Sequence, residues 1–308
     1  MHRTIEISVS PQVDDSTLAR LTAVEAVIGV SVTRGASLKP PGDVVRVHTL
    51  NRGADEVLQI IGSMAGERSF SIATSEVASF VDPHHQHAID TDIDEALWEE
   101  METGMRHQGQ VTQNYLILMA LGGALAAMGL MTTGVSQAIS FIAAPLIAPG
   151  FEPLTKVALG FTLRRWSTVQ RGLVSFFVGY AVLIAAAALT FVALHALGAV
   201  SPAAFLGNHE VEKIIHPDAL DFAYSTIGVV AGAVMLASYR RSTIGGALIA
   251  LEIIHAAAMV GAALGVGRWD YLLEGLTRVG IDAGLILVLS SLVIWLKQVF
   301  VHKRQPLA

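Results

Sequence analysis

Six long apolar segments follow Asn114, and they constrain the fold more than any other feature of the sequence. A helix needs about 20 apolar residues to cross the roughly 30 Å hydrocarbon core of a bilayer. The chain is 53% hydrophobic and only 15% charged, which is unusual for a soluble domain. The sequence therefore predicts an α-helical integral membrane protein with six transmembrane helices at 114–134, 137–163, 172–199, 221–238, 243–266 and 274–298.

Basic residues indicate the direction of these spans. The N-terminus has no apolar signal-peptide core, so we expect the first domain in the cytoplasm. Alternating spans then leave only Lys213 and Arg268 in the outer connections. The cytoplasmic ends hold eight basic residues, Arg164, Arg165, Arg171, Arg240, Arg241, Lys297, Lys303 and Arg304. This asymmetry follows the positive-inside rule and predicts a multi-pass protein with both termini in the cytoplasm.

A short motif recurs within the apolar region. The first copy comprises Ala158-Leu159-Gly160, Arg165-Trp166 and Gly172-Leu173, and the second comprises Ala263-Leu264-Gly265, Arg268-Trp269 and Gly275-Leu276. Each copy lies between two spans, and the predicted orientation makes the copies run in opposite directions. Spans one to three and four to six are therefore predicted to form a 3+3 inverted repeat. The alternative is that Gly- and Ala-rich helices resemble one another by composition alone.

The polar N-terminal region predicts a separate α+β domain. Residues 4–81 follow the order β-α-β-β-α-β, with strands near 4–10, 30–33, 44–50 and 69–80 and helices near 17–27 and 53–65. Ile5, Ile7 and Val9 are predicted to share one face of the first strand, and Asp14, Asp15 and Ser16 offer oxygens that cap the first helix. This is the order of a ferredoxin-like fold. We therefore expect a ferredoxin-like domain at 1–81, a tether at 82–110, a transmembrane domain at 111–300 and a cytoplasmic tail at 301–308.

The tether is acidic and begins with three histidines, His84, His85 and His87. Imidazoles beside carboxylates are able to bind a divalent transition metal, so these residues are weak candidates for a metal site. Charged linkers are more often simply solvated, and the spacing fits no standard site. Neither the tether nor any other part of the sequence predicts a cofactor.

Span two contains residues that are unusual within a bilayer. Pro145, Pro149 and Pro153 remove backbone donors and predict a break in the helix. Such a break is tolerated only where it is buried in protein or lines a watery cavity. Glu152 lies at the break with Lys156 one turn later, and the alternative to a functional role is an ion pair that neutralises both.

Spans five and six also carry ionisable residues. Glu252 and His255 are three residues apart and are predicted to share a helix face, with Asp282 deep in span six. Such groups at mid-membrane are typical of proton relays and cation sites. The sequence therefore predicts a substrate or ion site formed by Glu152, Glu252, His255 and Asp282, with Pro145 and Pro149 exposing backbone carbonyls. The alternative is a buried histidine beside a protonated glutamate.

The chain resembles a family of prokaryotic hydrophobic membrane proteins, the domain of unknown function 389. The resemblance lies in Ala144–Pro149, Ala237–Arg241, Gly245–Ala250 and Ala263–Asp270, and it extends over about 135–298. It implies a multi-pass inner-membrane protein and supplies no substrate. The chain departs from the family by having Ile254-His255-Ala256 where a Pro-Pro pair is common, and Asp282 where asparagine is common.

These features favour a secondary transporter, coupled to protons or another cation, for an unknown small solute or ion. A cation channel of the same architecture is one alternative. A signalling or scaffold protein with a regulatory soluble domain is another. No catalytic motif indicates an enzyme, and the net charge of −6 gives no sign of nucleic-acid binding. We expect the lipid bilayer as partner, and a homo-oligomer is one option for the assembly. The motifs Gly228-x-x-x-Gly232 and Gly261-x-x-x-Gly265 favour packing within one chain.

Overall fold

A computed structural model describes residues 2–64, 69–108, 110–238, 243–304, 306 and 307, without the side chains of 106–108, 243–249 and 251. The chain divides into two compact units. Unit 1 comprises Met1–Glu100 and Phe300–Ala308, and unit 2 comprises Met101–Val299. The tether predicted at 82–110 is thus divided between the units. Arg240 and Arg241, used for the predicted orientation, and Ala65, the predicted end of a helix, lie outside the described residues.

Unit 1 contains a four-stranded antiparallel sheet. Its strands are β1 (His2–Ser10), β2 (Val27–Leu38), β3 (Pro41–Thr49) and β4 (Ser69–Val77), in the spatial order β2-β3-β1-β4. Helices α1 (Asp15–Thr22) and α2 (Asn51–Gly62) follow β1 and β3, which is the predicted order of elements. The alternation of β1 buries Ile5, Ile7 and Val9 on one face as predicted, and the helices cover that face with Leu21, Val57 and Ile61.

Side chains outside the helices accept hydrogen bonds from the free backbone N–H groups at the starts of α1 and α2. The Asp14 carboxylate accepts a hydrogen bond from the Thr17 backbone and caps α1, as the sequence predicted. Leu50 at the N-cap of α2 has no capping side chain, and Asp92 supplies the acceptor instead. The backbone N–H of Asn51 donates to this carboxylate at 2.6 Å. The segment after the sheet, with α3 (Gln86–Asp90) and the start of α4 (Trp98–Gln108), therefore packs onto the sheet domain.

The C-terminal tail also belongs to unit 1. Arg304 donates two hydrogen bonds to the Glu99 carboxylate, at 2.7 and 2.8 Å, and one to Asp55 on α2. His302 contacts the second oxygen of Asp55 at 2.7 Å, and its ring lies 4.4 Å from the Trp98 ring. Leu307 packs on the hydrophobic core. The tail is thus an integral part of the domain rather than a free extension.

Unit 2 is helical. Its long elements are α5 (Gln113–Met131), α8 (Trp166–Ala196), α11 (Ala219–Ala237), α12 (Thr243–Val266) and α13 (Trp269–Lys297), and α13 continues into a π-helical turn at Gln298–His302. The shorter helices are α6 (Val135–Ile147), α7 (Glu152–Thr162), α9 (Pro202–Leu206) and α10 (His209–Ile215). These helices occupy all six ranges predicted as spans.

Among the described residues, α5, α8, α11 and α13 are each long and apolar enough to cross a membrane. The bent pair of α6 and α7 makes a fifth candidate if it counts as one span. In α12, the fully described stretch Glu252–Val266 is an apolar helix of fewer residues than a bilayer crossing needs. The structure therefore contains several helices of membrane-spanning length and apolarity. The sixth span remains a prediction.

The break predicted in span two between Pro145 and Pro153 is confirmed, and the non-helical residues within it are 148–151. Helix α6 continues through Pro145 to Ile147, and α7 begins at Glu152 after a bend of 43°. Pro145 is accommodated inside the helix, whereas Pro149 lies in the non-helical connection and Pro153 is in the first turn of α7. Ala144, Gly150 and Glu152 are buried, as irregular backbone within a bilayer requires.

The two copies of the repeated motif have the same local structure. A left-handed residue, Arg164 (φ 57°) or Gly267 (φ 79°), follows the preceding helix. The next residue is Arg165 or Arg268, and its backbone angles are nearly the same in both copies. This arginine directly precedes the first residue of a long helix. A glycine seven residues later then meets a valine of the preceding helix, with Gly172 against Val157 and Gly275 against Val260.

Candidate functional site

Helix α13 contains an ion pair formed by two of its own residues. Arg278 and Asp282 lie one turn apart, so their side chains emerge on the same face. The Arg278 Nε atom donates to Asp282 Oδ2 at 3.0 Å, and each side chain is only 3% exposed. Burying charges of this kind is costly unless they are paired.

Two neighbouring helices contribute to the same guanidinium group. Glu252 of α12 places Oε2 at 3.5 Å from Arg278 Nη2, and the hydroxyl of Ser225 on α11 accepts from Nη2 at 3.3 Å. The Phe222 ring lies 5.2 Å from the guanidinium carbon, within range of a cation–π interaction. We call Ser225, Glu252, Arg278 and Asp282 the Arg278 cluster, because all four converge on this one cation.

A small cavity that opens outward, with room for about one water molecule, lies beside the cluster. Its polar lining comes from Ser225, Glu252 and Asp282, and its apolar lining comes from Val229, Ile253, Leu285 and Ile286. Within the described part of the chain, Asp282 Oδ1 and Arg278 Nη1 are buried without a hydrogen-bond partner. Buried polar atoms of this kind usually bind water or a ligand. The cluster is therefore chemically able to bind a small polar species.

The charges of the cluster do not cancel. Two carboxylates, Glu252 and Asp282, share one guanidinium, which leaves one excess negative charge when both are ionised. Asp221 and Glu210 also act on Glu252 electrostatically and make its surroundings more negative. A site with this balance attracts a single positive charge.

Glu152 lies at the second predicted feature, the break between α6 and α7. It is the first residue of α7 and is 8% exposed, and its Oε2 atom has no hydrogen-bond partner among the described residues. Its position in the first turn is favourable for a carboxylate because of the helix dipole. Tyr180 of α8 stabilises the break by donating a hydrogen bond to the Gly150 carbonyl at 3.0 Å. Lys156, one turn further, is also buried.

Glu252 and His255 contact different helices, and the predicted relay between them stays a prediction. Glu252 faces Arg278 of α13, whereas the His255 ring stacks on Phe141 of α6, with 3.9 Å between ring centroids. The side chain opposite Gly150 of the break is Ile254, which lies between them in the sequence. The predicted site residues thus fall into two places: Glu252 and Asp282 in the Arg278 cluster, and Pro149 and Glu152 at the break.

The remaining predicted site residues lie elsewhere. Pro145 is buried inside α6. In the tether, His85 pairs with Asp82 at 3.0 Å. No group of three or more His, Cys, Asp or Glu side chains in the described ranges is arranged to hold a metal ion. Metal binding at His84, His85 and His87 stays a prediction.

Sequence reasoning missed Arg278, Ser225 and Tyr180. Arg278 had a readable signal, because it lies four residues before Asp282 in an apolar stretch, and such a pair indicates a buried ion pair. Ser225 and Tyr180 had none, since their importance comes only from contacts with residues far along the chain.

Comparison with known protein families finds a similarity in this region. Residues 146–288 match the family model described as Domain of unknown function (DUF389). This range includes the break, the second copy of the repeated motif and the whole Arg278 cluster. No curated protein and no solved structure matches the chain. The match agrees with the resemblance found in the sequence over residues 146–288, and the matched family is itself uncharacterised.

Proposed function

We propose that this protein is a multi-pass membrane transporter in which the Arg278 cluster binds a solute or coupling ion. The observation that carries the proposal is the pair of carboxylates on one buried guanidinium, between apolar helices and beside a cavity. Ionisable groups within membrane segments are costly and usually mark ion or substrate pathways. A scaffold protein, the alternative considered above, has no need of charged groups buried between its helices.

The position of the tail supports an even number of spans. The chain leaves unit 1 after Glu100 and returns to it at Phe300. Because both ends of the helical region join the same unit, they lie on the same side of a bilayer. The four long helices and the bent pair make five candidates, and an even number requires α12 as the sixth. This agrees with the predicted cytoplasmic location of both termini.

The packing of unit 2 supports the predicted inverted repeat. Helix α7 of the first half packs against α13 of the second, and α12 of the second half packs against α8 of the first. Such reciprocal contacts are expected of two halves related by a two-fold axis. Since each half contains three spans, the second half enters the bilayer from the opposite side and is inverted. Unit 1, with its predicted ferredoxin-like topology, is then a cytoplasmic regulatory domain.

Proteoliposomes that contain a trapped pH-sensitive dye test the proposal. We expect the parent chain to show proton movement that depends on one of a panel of added inorganic ions, amines or carboxylates. Glu252→Gln should abolish this movement, whereas Glu274→Gln, an exposed carboxylate on the same helix as Arg278, should not. A solute-independent current would favour the channel, and the absence of any response to the panel would contradict transport.

A further inference from the structure

The Arg278 cluster has a charge imbalance that one bound positive charge corrects. With Glu252, Asp282 and Arg278 all ionised, the group carries one net negative charge in largely apolar surroundings. Isolated charge is unfavourable in such surroundings, so the cluster favours a state with one added positive charge. This state is reached by binding either a metal cation or a proton.

The oxygen atoms of the cluster are better suited to bind a proton than a metal cation. Sodium and divalent cations need several oxygen ligands. Among the described residues that line the cavity, three have side-chain oxygens, namely Ser225, Glu252 and Asp282. The guanidinium is hydrogen-bonded to one of these carboxylates at 3.0 Å and would repel a metal cation held beside it. A proton instead binds covalently to one oxygen, and the arginine keeps its hydrogen bond to the other carboxylate.

The two carboxylates differ in how firmly they are held. Asp282 is 3% exposed and accepts a short hydrogen bond from Arg278 Nε. Glu252 is 30% exposed, lines the cavity and lies 3.5 Å from Nη2 without a hydrogen bond to it. A proton can reach Glu252 through the cavity without breaking the Arg278–Asp282 pair.

Acidic residues also lead towards Glu252. Asp221 at the start of α11 and Glu210 on α10 both act on its charge, and Ser225 joins the backbone carbonyl of Asp221 to the cluster by accepting from Arg278. Among the described residues, Arg278, Asp282, Asp221 and Glu210 act electrostatically on Glu252. Three of these four are acidic, and negative charge around a site raises the local concentration of cations, including hydronium.

From this geometry we propose that Glu252 is the proton-binding residue of the membrane unit, taking up one proton per chain while Arg278 and Asp282 remain an ion pair. In the step, hydronium transfers its proton to Glu252 Oε and leaves as water, and the cluster changes from one net negative charge to neutral. The inference rests on the proposed function and specifies its coupling ion.

Infrared difference spectroscopy of the full chain in nanodiscs tests this inference, between an alkaline pH and a mildly acidic pH that stays above the range in which exposed carboxylates titrate. We expect the carbonyl band of one protonated carboxylic acid in the parent. The band should shift when only glutamate is labelled with ¹³C at the carboxyl carbon, and should not shift when only aspartate is labelled. Glu252→Gln should remove the band, and the matched control Glu274→Gln should keep it.

Two further results distinguish proton binding from a structural role. Arg278→Gln leaves two carboxylates without a cation, so proton uptake should rise from one to two per chain. Sodium added at constant pH should leave the band unchanged. A band that follows aspartate labelling, survives Glu252→Gln or is displaced by sodium would overturn the inference. Because this measurement needs no solute, a chain that binds the proton yet transports nothing would contradict only the proposed function.

Discussion

Arg278 and Asp282 form a hydrogen-bonded ion pair within a single turn of α13, with 3.0 Å between Nε and Oδ2 and with both side chains almost completely buried. Because the two residues belong to the same helix, the pair does not depend on how that helix packs against its neighbours. Glu252 and Ser225, in contrast, join the pair from other helices. The pair is thus a fixed element of the cluster, and Glu252 is the element whose contact depends on helix packing.

Removing one partner of the Arg278–Asp282 pair should lower the free energy of unfolding more than replacing both partners. Arg278→Ala leaves Asp282 as an uncompensated buried charge, and we expect a loss of about 3–5 kcal/mol in the free energy of unfolding. The double variant Arg278→Met, Asp282→Leu should be markedly more stable than the single one. Unfolding of the purified protein in mixed micelles measures both. Equal costs for the single and double variants would show that the pair is not desolvated.

Tyr180 should stabilise the break between α6 and α7. Tyr180→Phe removes the hydrogen bond to the Gly150 carbonyl and leaves this buried acceptor unsatisfied. We expect a loss of about 1 kcal/mol in the free energy of unfolding. Tyr224→Phe is the matched control, because Tyr224 is 67% exposed on α11. If both variants unfold alike, the hydrogen bond does not stabilise the break.

The tail should be held against α2 in the intact protein. The chain has no cysteine, so two introduced cysteines are unique. A side chain at Gly62 would meet Leu307 directly, and Gly62→Cys with Leu307→Cys should cross-link readily under mild oxidation. Leu38→Cys with Leu307→Cys is the control, because Leu38 is 91% exposed. Gel mobility after proteolytic cleavage between the units reports the cross-link. Equal cross-linking in both variants would mean that the tail is not docked as described.

Acid should release the tail. Burial alone would raise the pKa of Asp55 and of Glu99, but their contacts with Arg304, and for Asp55 also with His302, outweigh burial and lower both pKa values. A carboxylate whose pKa is lower in the folded state stabilises the fold above its unfolded pKa of about 4. This contribution is lost as the pH falls further through the folded pKa.

Hydrogen exchange of residues 300–307 in the full chain measures this pH dependence. Protection should decrease below about pH 4 in the parent, in the range where these carboxylates take up protons. Arg304→Gln should show weaker protection at neutral pH and a smaller decrease on acidification. A decrease of the same size in Arg304→Gln would assign the pH dependence to other groups.

Local patterns in the sequence predicted much of the architecture. The alternation of Ile5, Ile7 and Val9, the cap at Asp14 and the proline-rich break each depend on neighbouring residues, and the structure contains all three. The docking of Arg304 on Asp55 and Glu99 depends on partners more than 200 residues apart, and no local pattern encodes it. Glu252 and His255 are three residues apart, yet they contact different helices. No local pattern encodes this either, because the partners lie far along the chain.

The most direct test of the central claim is the chemical accessibility of a cysteine at position 225, which lines the cavity beside the Arg278 cluster. In sealed vesicles of this otherwise cysteine-free chain, Ser225→Cys should react with a charged, membrane-impermeant thiosulfonate applied from either face, because a transporter exposes its site to both sides. Ile227→Cys, 66% exposed on the same helix, should remain unreactive because lipid covers it. Reaction of Ser225→Cys from one face only, from neither face, or no faster than Ile227→Cys would contradict a transport site at the Arg278 cluster.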